Sequence, residues 1–99
     1  MALEHVFPLE HPAARGHFPG DPIIPGAVLL SEVLLAIEAE LGQPLLPCRV
    51  RSVKFLRPVR PGDGVRIEYS GRGAPELHVT CSAAGHPVLA AERWWDAAA

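Results

Sequence analysis

The sequence predicts an α+β fold in which one central helix lies against a curved antiparallel sheet. Two observations carry that expectation. A single helical pattern, Ala27 to Leu41, stands between a short strand-like stretch with its following loop and four later strand-like stretches. Those later stretches are joined by short turns, which imply an antiparallel meander.

Residues 3–9 (LEHVFPL) read as a strand, with Pro8 near its end in a placement suited to a sheet edge. The loop from His11 to Gly26 holds Pro12, Pro19, Pro22 and Pro25 together with Gly16, Gly20 and Gly26, so it should be stiff and sharply folded. A loop of that length in so small a chain is usually functional. AVLLSEVLLAIEAEL follows, rich in strong helix formers and closed by Gly42 as a C-cap. Its polar residues are Ser31, Glu32, Glu38 and Glu40, so the helix should be buried over most of its circumference. Cys48 to Val59 is strand-like, but Val53 and Phe55 fall out of phase with Cys48 and Val50, predicting a β-bulge near Ser52. Pro61 to Gly64 is a turn. Val65, Ile67 and Tyr69 alternate with polar residues, as do Leu77, Val79, Cys81 and Ala83. Gly85-His86-Pro87 should form the tight connection to a last strand, about Val88 to Trp95.

Ninety-nine residues with 48% hydrophobic content imply one domain over residues 1–99, with a core small enough that association would help it. The net charge of −2 hides an asymmetry. Residues 1–48 hold one basic residue against six acids, and residues 49–72 hold seven basic residues against Asp63 and Glu68. Such a stripe is either a solvated strand face or a docking site for an acidic partner. Cys48 and Cys81 have no metal or redox spacing and read as small core residues in a reducing compartment. The N-terminus has no basic n-region, and the run from Ala27 to Ile37 is too short for a membrane span. A soluble, cytoplasmic protein is expected. No nucleic-acid motif occurs. His5, His11, His78 and His86 show no ligand spacing and read as surface residues, so no metal is expected. Trp94 and Trp95 would cover the core or a dimer contact.

Chemistry concentrates in RGHFPGDPIIPGAVLLSE, Arg15 to Glu32. A neutral imidazole such as that of His17 titrates near pH 7 and suits general-base work. An unpaired backbone N–H in the first turn of a helix, as at Gly26, suits a developing enolate oxygen. Gly26 would equally permit the bend from loop to helix.

GHFPGDPIIPG followed by an apolar helix resembles the active-site segment of the β-hydroxyacyl-acyl carrier protein dehydratases, which have the hot-dog fold. VKFLRPVRPGDGVRIE, Val53 to Glu68, resembles the strand pair that follows in that family, and HVTCSAAGHPVLAAE is similar to its last hairpin. The likeness spans roughly residues 5–92 and looks most like the family's small stand-alone members.

The resemblance implies a hydro-lyase. It would convert a β-hydroxyacyl thioester on acyl carrier protein into the trans-2-enoyl thioester, in fatty-acid or related polyketide-like lipid biosynthesis, without a cofactor. His17 would take the Cα proton and the Gly26 N–H would polarise the thioester carbonyl. Phe18, Pro19, Gly20 and Pro25 would line the substrate. The family's acid, a Glu or Asp that protonates the departing hydroxyl, belongs fourteen residues after the histidine. Ser31 stands there instead, and Leu35 stands where the family often has Gln. A serine is too weak an acid to act directly but could hold a water, and loss of a general acid costs about 10²–10⁴ in rate. Glu32 is the nearest carboxylate, rotated by about 100° around the helix. It would reach the same pocket only if the helix shifts; otherwise it simply favours the helix dipole. Glu38 is on the face of Ser31 but roughly 10 Å further along.

The family's sites form across a dimer, so a homodimer is expected and a heterodimer is possible. Arg57 and Arg60 would meet the acidic surface typical of carrier proteins. The other readings are a non-catalytic or heterodimer-forming hot-dog subunit that binds carrier protein or acyl chain, and a hot-dog thioesterase.

Overall fold

A computed structural model describes residues 2–12, 23–42, 49–71 and 76–94, the side chains of residues 76, 93 and 94 excepted. The elements are β1 (Ala2–Val6), α1 (Gly26–Leu41), β2 (Arg49–Phe55), β3 (Gly64–Ser70), β4 (Glu76–Ala83) and β5 (His86–Trp94). One antiparallel sheet runs in the order β1-β3-β4-β5-β2.

Helix α1 begins where Pro25, at φ −57° and ψ 143°, turns the chain out of its extended path. The Leu29 N–H closes the first turn on the Pro25 carbonyl at 2.9 Å. Gly42 ends the helix as anticipated, with left-handed geometry (φ 71°) and its N–H on the Glu38 carbonyl at 2.9 Å. Leu29, Val33, Leu34 and Ile37 are the buried residues of α1. They share a core with Val65, Ile67 and Tyr69 of β3, Leu77, Val79 and Cys81 of β4, and Val88, Leu89 and Ala91 of β5. Each such aliphatic side chain contributes about 1.5–3 kcal/mol on burial. The period-2 alternation foreseen for β3 and β4 is what creates this face.

Four expectations need correction. The helix is not buried over most of its circumference: Ala27, Ser31, Leu35 and Ala39, four residues apart and hence on one face, are exposed, Leu35 at 47%. The meander includes only β3, β4 and β5. Strand β2 pairs with β5 at the opposite edge from β1, because the eight residues 56–63 carry the chain across rather than back alongside it. Strand β2 also stops at Phe55, not Val59, since Pro58 lacks a ladder donor and constrains Arg57 before it. At the last hairpin the two-residue turn is Ala84-Gly85, with φ 50° and 80°, and His86 and Pro87 already belong to β5. Pro87 is tolerated because a bulge sits there: Cys81 pairs with Leu89 and Ser82 with Pro87, leaving Val88 as the extra residue.

The bulge anticipated near Ser52 is present. Val50 pairs with Arg93 and Ser52 with Glu92, so Arg51 is the inserted residue. Strand β1 is an edge strand as foreseen, but it covers Ala2–Val6 and is continued by two bonds, Phe7 N–H to Asp63 O at 3.0 Å and Gly62 N–H to Phe7 O at 2.6 Å. Together the helix and the antiparallel sheet are a hot-dog architecture.

Candidate functional site

The N-terminus of α1 is fixed by backbone before any side chain is considered. The Ile24 N–H donates to the Val59 carbonyl at 2.7 Å, tying the entry of the helix to the segment that follows β2. This tie creates an apolar groove of ≈ 330 Å³ whose lining includes Ile23, Ile24, Gly26, Leu29, Phe55 and Val59. A Cβ on Gly26 would lie 2.9 Å from Cζ of Phe55, so a larger residue there would displace the tip of that ring from the groove. Gly26 is also the first helical residue, where a backbone N–H has no partner four residues earlier. Pro25 sits immediately before it, half-buried. Phe55 itself is 48% exposed, an aromatic ring on the wall of the groove.

Ser31 is on the exposed row of α1, facing away from the core of its own chain. Glu32, one residue on, points toward β1. One of its carboxylate oxygens accepts from His5 Nε2 at 3.2 Å, and the other is hydrogen-bonded with His11 Nε2. The Glu32 and His11 side chains are 26% and 11% exposed. Phe7, fully buried, lies between the two imidazoles, edge-on to His5 with ring centroids 4.8 Å apart and tilted against His11 at 5.8 Å. His5 and His11 are therefore not the surface residues expected. HVFPLEH did carry a signal: strand alternation puts His5 and Phe7 on one face, and Phe7 is plainly a core residue. Ligand spacing alone could not reveal a partner 27 residues away on a helix.

Arg57 and Arg60 are exposed and line an open groove of ≈ 370 Å³ together with Asp63 and His86. The Arg60 backbone N–H donates to Asp63 Oδ2 at 2.8 Å, which shapes the turn into β3. Arg51 and Arg66 of the basic stripe are paired within the chain. Arg51 binds Glu92 through Nη2 at 2.7 Å and Nε at 3.1 Å, and Arg66 binds Glu68 at 3.0 Å. The hydrogen bond from Arg51, with the nearby positive charges of Arg51 and His78, lowers the Glu92 carboxyl below its usual range despite some desolvation. Burial pushes the Cys81 thiol up to about 12, in keeping with a core cysteine. His78 and His86 are surface residues, as expected.

His17, Phe18, Pro19, Gly20 and Cys48 lie outside the described residues, as do Trp95 and the side chain of Trp94. Among the described residues no three His, Cys, Asp or Glu side chains are grouped to hold a metal ion, and no helix is long and apolar enough to cross a membrane.

Comparison with known proteins bears on the family and the fold. Residues 1–91 match a family described as ApeI-like: ApeI dehydratase. A 3-hydroxyacyl-[acyl-carrier-protein] dehydratase FabZ of Syntrophobacter fumaroxidans is 33% identical over 95 residues, covering 85% of this chain and 64% of its own. The FabZ of Chloroflexus aggregans is 33% identical over 72 residues, covering 66% of this chain and 50% of its own. The chain thus spans about half the length of several curated relatives it matches. Among solved structures, the dehydratase heterocomplex ApeI:P from Xenorhabdus doucetiae superposes with a TM-score of 0.70 at 17% identity, over 94% of this chain and 83% of that one. At that identity it bears on the fold alone.

Proposed function

We propose that this chain, which belongs to the ApeI-like dehydratase family, removes water from a β-hydroxyacyl thioester borne on acyl carrier protein and leaves the trans-2-enoyl thioester. The observation that carries the reading is the family match over residues 1–91, with Gly26 opening α1 on the wall of an apolar groove. His17, by its place in GHFPG, is the base that takes the Cα proton. The Gly26 N–H stabilises the negative charge that develops on the thioester oxygen, aided by the helix dipole. The groove beside Ile24, Leu29 and Phe55 takes apolar acyl carbons, and the family resemblance assigns Phe18, Pro19, Gly20 and Pro25 to the reacting end of the substrate. The Cβ hydroxyl leaves as water once protonated. Both oxygens of Glu32 are engaged by His5 and His11, so the proton that His17 takes from Cα is passed on to the leaving hydroxyl, relayed through a water held at Ser31 that is left unchanged by the relay.

Arg57 and Arg60, at the mouth of their groove, meet the acidic surface of the carrier. The open row on α1 and the exposed edge β2 support a dimer, the copy covering Ser31. A heterodimer in which the partner brings a carboxylate to the Ser31 position is the second arrangement, favoured by the serine itself. The buried free thiol Cys81 fits a cytoplasmic protein.

The test is hydration of a crotonyl-type thioester, followed by loss of enoyl absorbance. Turnover by the pure protein that disappears in His17→Ala is the expected result. A pure protein that is inert until a second hot-dog subunit is added supports the heterodimer. Thiol release from a saturated acyl thioester points to hydrolysis instead.

A further inference from the structure

Phe55 carries an aromatic ring that the hydrophobic core does not use. It stands outside the cluster of buried residues and is 48% exposed, yet the chain around it is held in place. Phe55 closes β2 with its Cα opposite Leu89, and the next residue, Leu56, donates its N–H to the Val88 carbonyl at 2.9 Å. A little further on, the Val59 carbonyl accepts the Ile24 N–H just before α1 begins. The strand end that bears the ring is thereby tied to the entry of the helix.

The ring tip meets one place on that helix. The three atoms nearest the position of a Cβ on Gly26 are Cζ, Cε1 and Cε2 of Phe55, at 2.9, 3.0 and 3.0 Å. In a helix the Cα–Cβ direction tilts toward the N-terminus, which is also the way the first backbone N–H points. The ring tip thus flanks the space in front of the Gly26 N–H, on the wall of the ≈ 330 Å³ apolar groove. A thioester oxygen held by that N–H puts the carbonyl carbon, and the Cα bonded to it, beside the ring.

We propose that Phe55 sets the substrate class by limiting the room at Cα, so that β-hydroxyacyl thioesters with an unbranched Cα are accepted and α-methyl ones are rejected. This rests on the Gly26 N–H as the donor to the carbonyl oxygen. A methyl branch on Cα would compete with the ring tip for space. Carbons beyond Cβ instead run along the groove past Ile24 and Leu29. One carbon more or less against an apolar wall changes discrimination by about 10–200-fold. Leu56, 50% exposed and on the same groove but not among the atoms nearest Gly26, is the internal comparison.

The test is hydration of three N-acetylcysteamine thioesters by the full chain: crotonyl, its 2-methyl homologue tiglyl, and trans-2-hexenoyl, which is longer only at the far end. Ratios of kcat/KM, compared between variant and wild type, cancel the intrinsic reactivity of each thioester. Phe55→Ala should raise the tiglyl-to-crotonyl ratio about tenfold or more, and Phe55→Leu should raise it less. The hexenoyl-to-crotonyl ratio should stay within about twofold of wild type. Leu56→Ala should leave both ratios near their wild-type values.

An unchanged tiglyl-to-crotonyl ratio in Phe55→Ala overturns the proposal. An equal rise in Leu56→Ala, or a parallel rise for hexenoyl, also overturns it, since either would mean general widening of the groove. Equal loss on all three thioesters with a shift to monomer in sedimentation makes Phe55 an interface residue and likewise sinks the idea. If Phe55→Ala does not fold, Phe55→Leu decides alone. Should no thioester turn over, the dehydratase reading fails by itself, and NMR titration with the saturated butyryl and 2-methylbutyryl thioesters then judges Phe55. Phe55→Ala should tighten binding of the branched thioester about tenfold relative to the straight one; an unchanged ratio, or no binding of either, rejects the role.

Discussion

The two faces of α1 obey different rules although they share one backbone. Leu29, Val33, Leu34 and Ile37 meet the sheet and are almost fully buried. Ala27, Ser31, Leu35 and Ala39 are open. The first face is a matter of hydrophobic burial, where volume and shape set the energy. The second holds Ser31, the position proposed to govern the chemistry, and among the described residues no contact demands a particular side chain there. A substitution on the inner face should therefore be read in stability, and one on the outer face in turnover or assembly.

That contrast can be pressed at four points. Ser31→Glu should raise enoyl hydration by about 10²–10⁴ where protonation of the leaving hydroxyl limits the rate, with stability changed by only about 0.5 kcal/mol. Steady-state kinetics and a thermal melt on the same sample check it; a large loss of stability with no gain in rate would mean that the two faces are not separable. Ile37→Ala, on the inner face and fully buried, should cost about 2–5 kcal/mol in denaturant unfolding. Leu35→Lys should shift the protein toward monomer in sedimentation without unfolding it, because it puts a charge into the open row while leaving the core intact; a dimer that persists moves the interface elsewhere. The smallest effect belongs far from the helix. The Glu92 carboxyl is lowered in the folded state by Arg51, so its stabilisation is present above the ordinary carboxylate range and is lost as pH falls through the lowered value. Glu92→Gln should flatten that part of the acid limb of a pH–stability curve and leave neutral pH nearly unaffected, as expected for an exposed pair.

A further pH effect has the opposite sign. The Cys81 thiol, pushed up to about 12, stays protonated in the fold while an unfolded thiol ionises near 9, so stability should decline as pH rises above that lower value. Cys81→Ala should lose this slope, though at some cost in packing.

Several elements were legible because their causes are local. The propensity of AVLLSEVLLAIEAEL and the glycine after it located α1 to within one residue at its start and matched its end. Alternation located β3 and β4, and the phase slip between Val50 and Val53 announced the bulge at Arg51. The motif around His17 carried the family, and the family match over residues 1–91 agrees. Strand order was a different matter. A short connection suggests a neighbour, but nothing local to residues 56–63 says whether β2 pairs with β3 or, as it does, with β5. The roles of His5 and His11 were equally hidden, since a histidine without ligand spacing is silent about a carboxylate on a distant helix.

The sequence by itself determined the helix, the alternating strands and the family, all of which follow from residue type and spacing along the chain. Only the tertiary structure decided which side of α1 is left open, that Phe55 lies against Gly26, and that Glu32 is shared between two histidines. Those are relations between residues far apart in sequence. They arise when the sheet has folded around the helix, and no periodicity within a single segment encodes them.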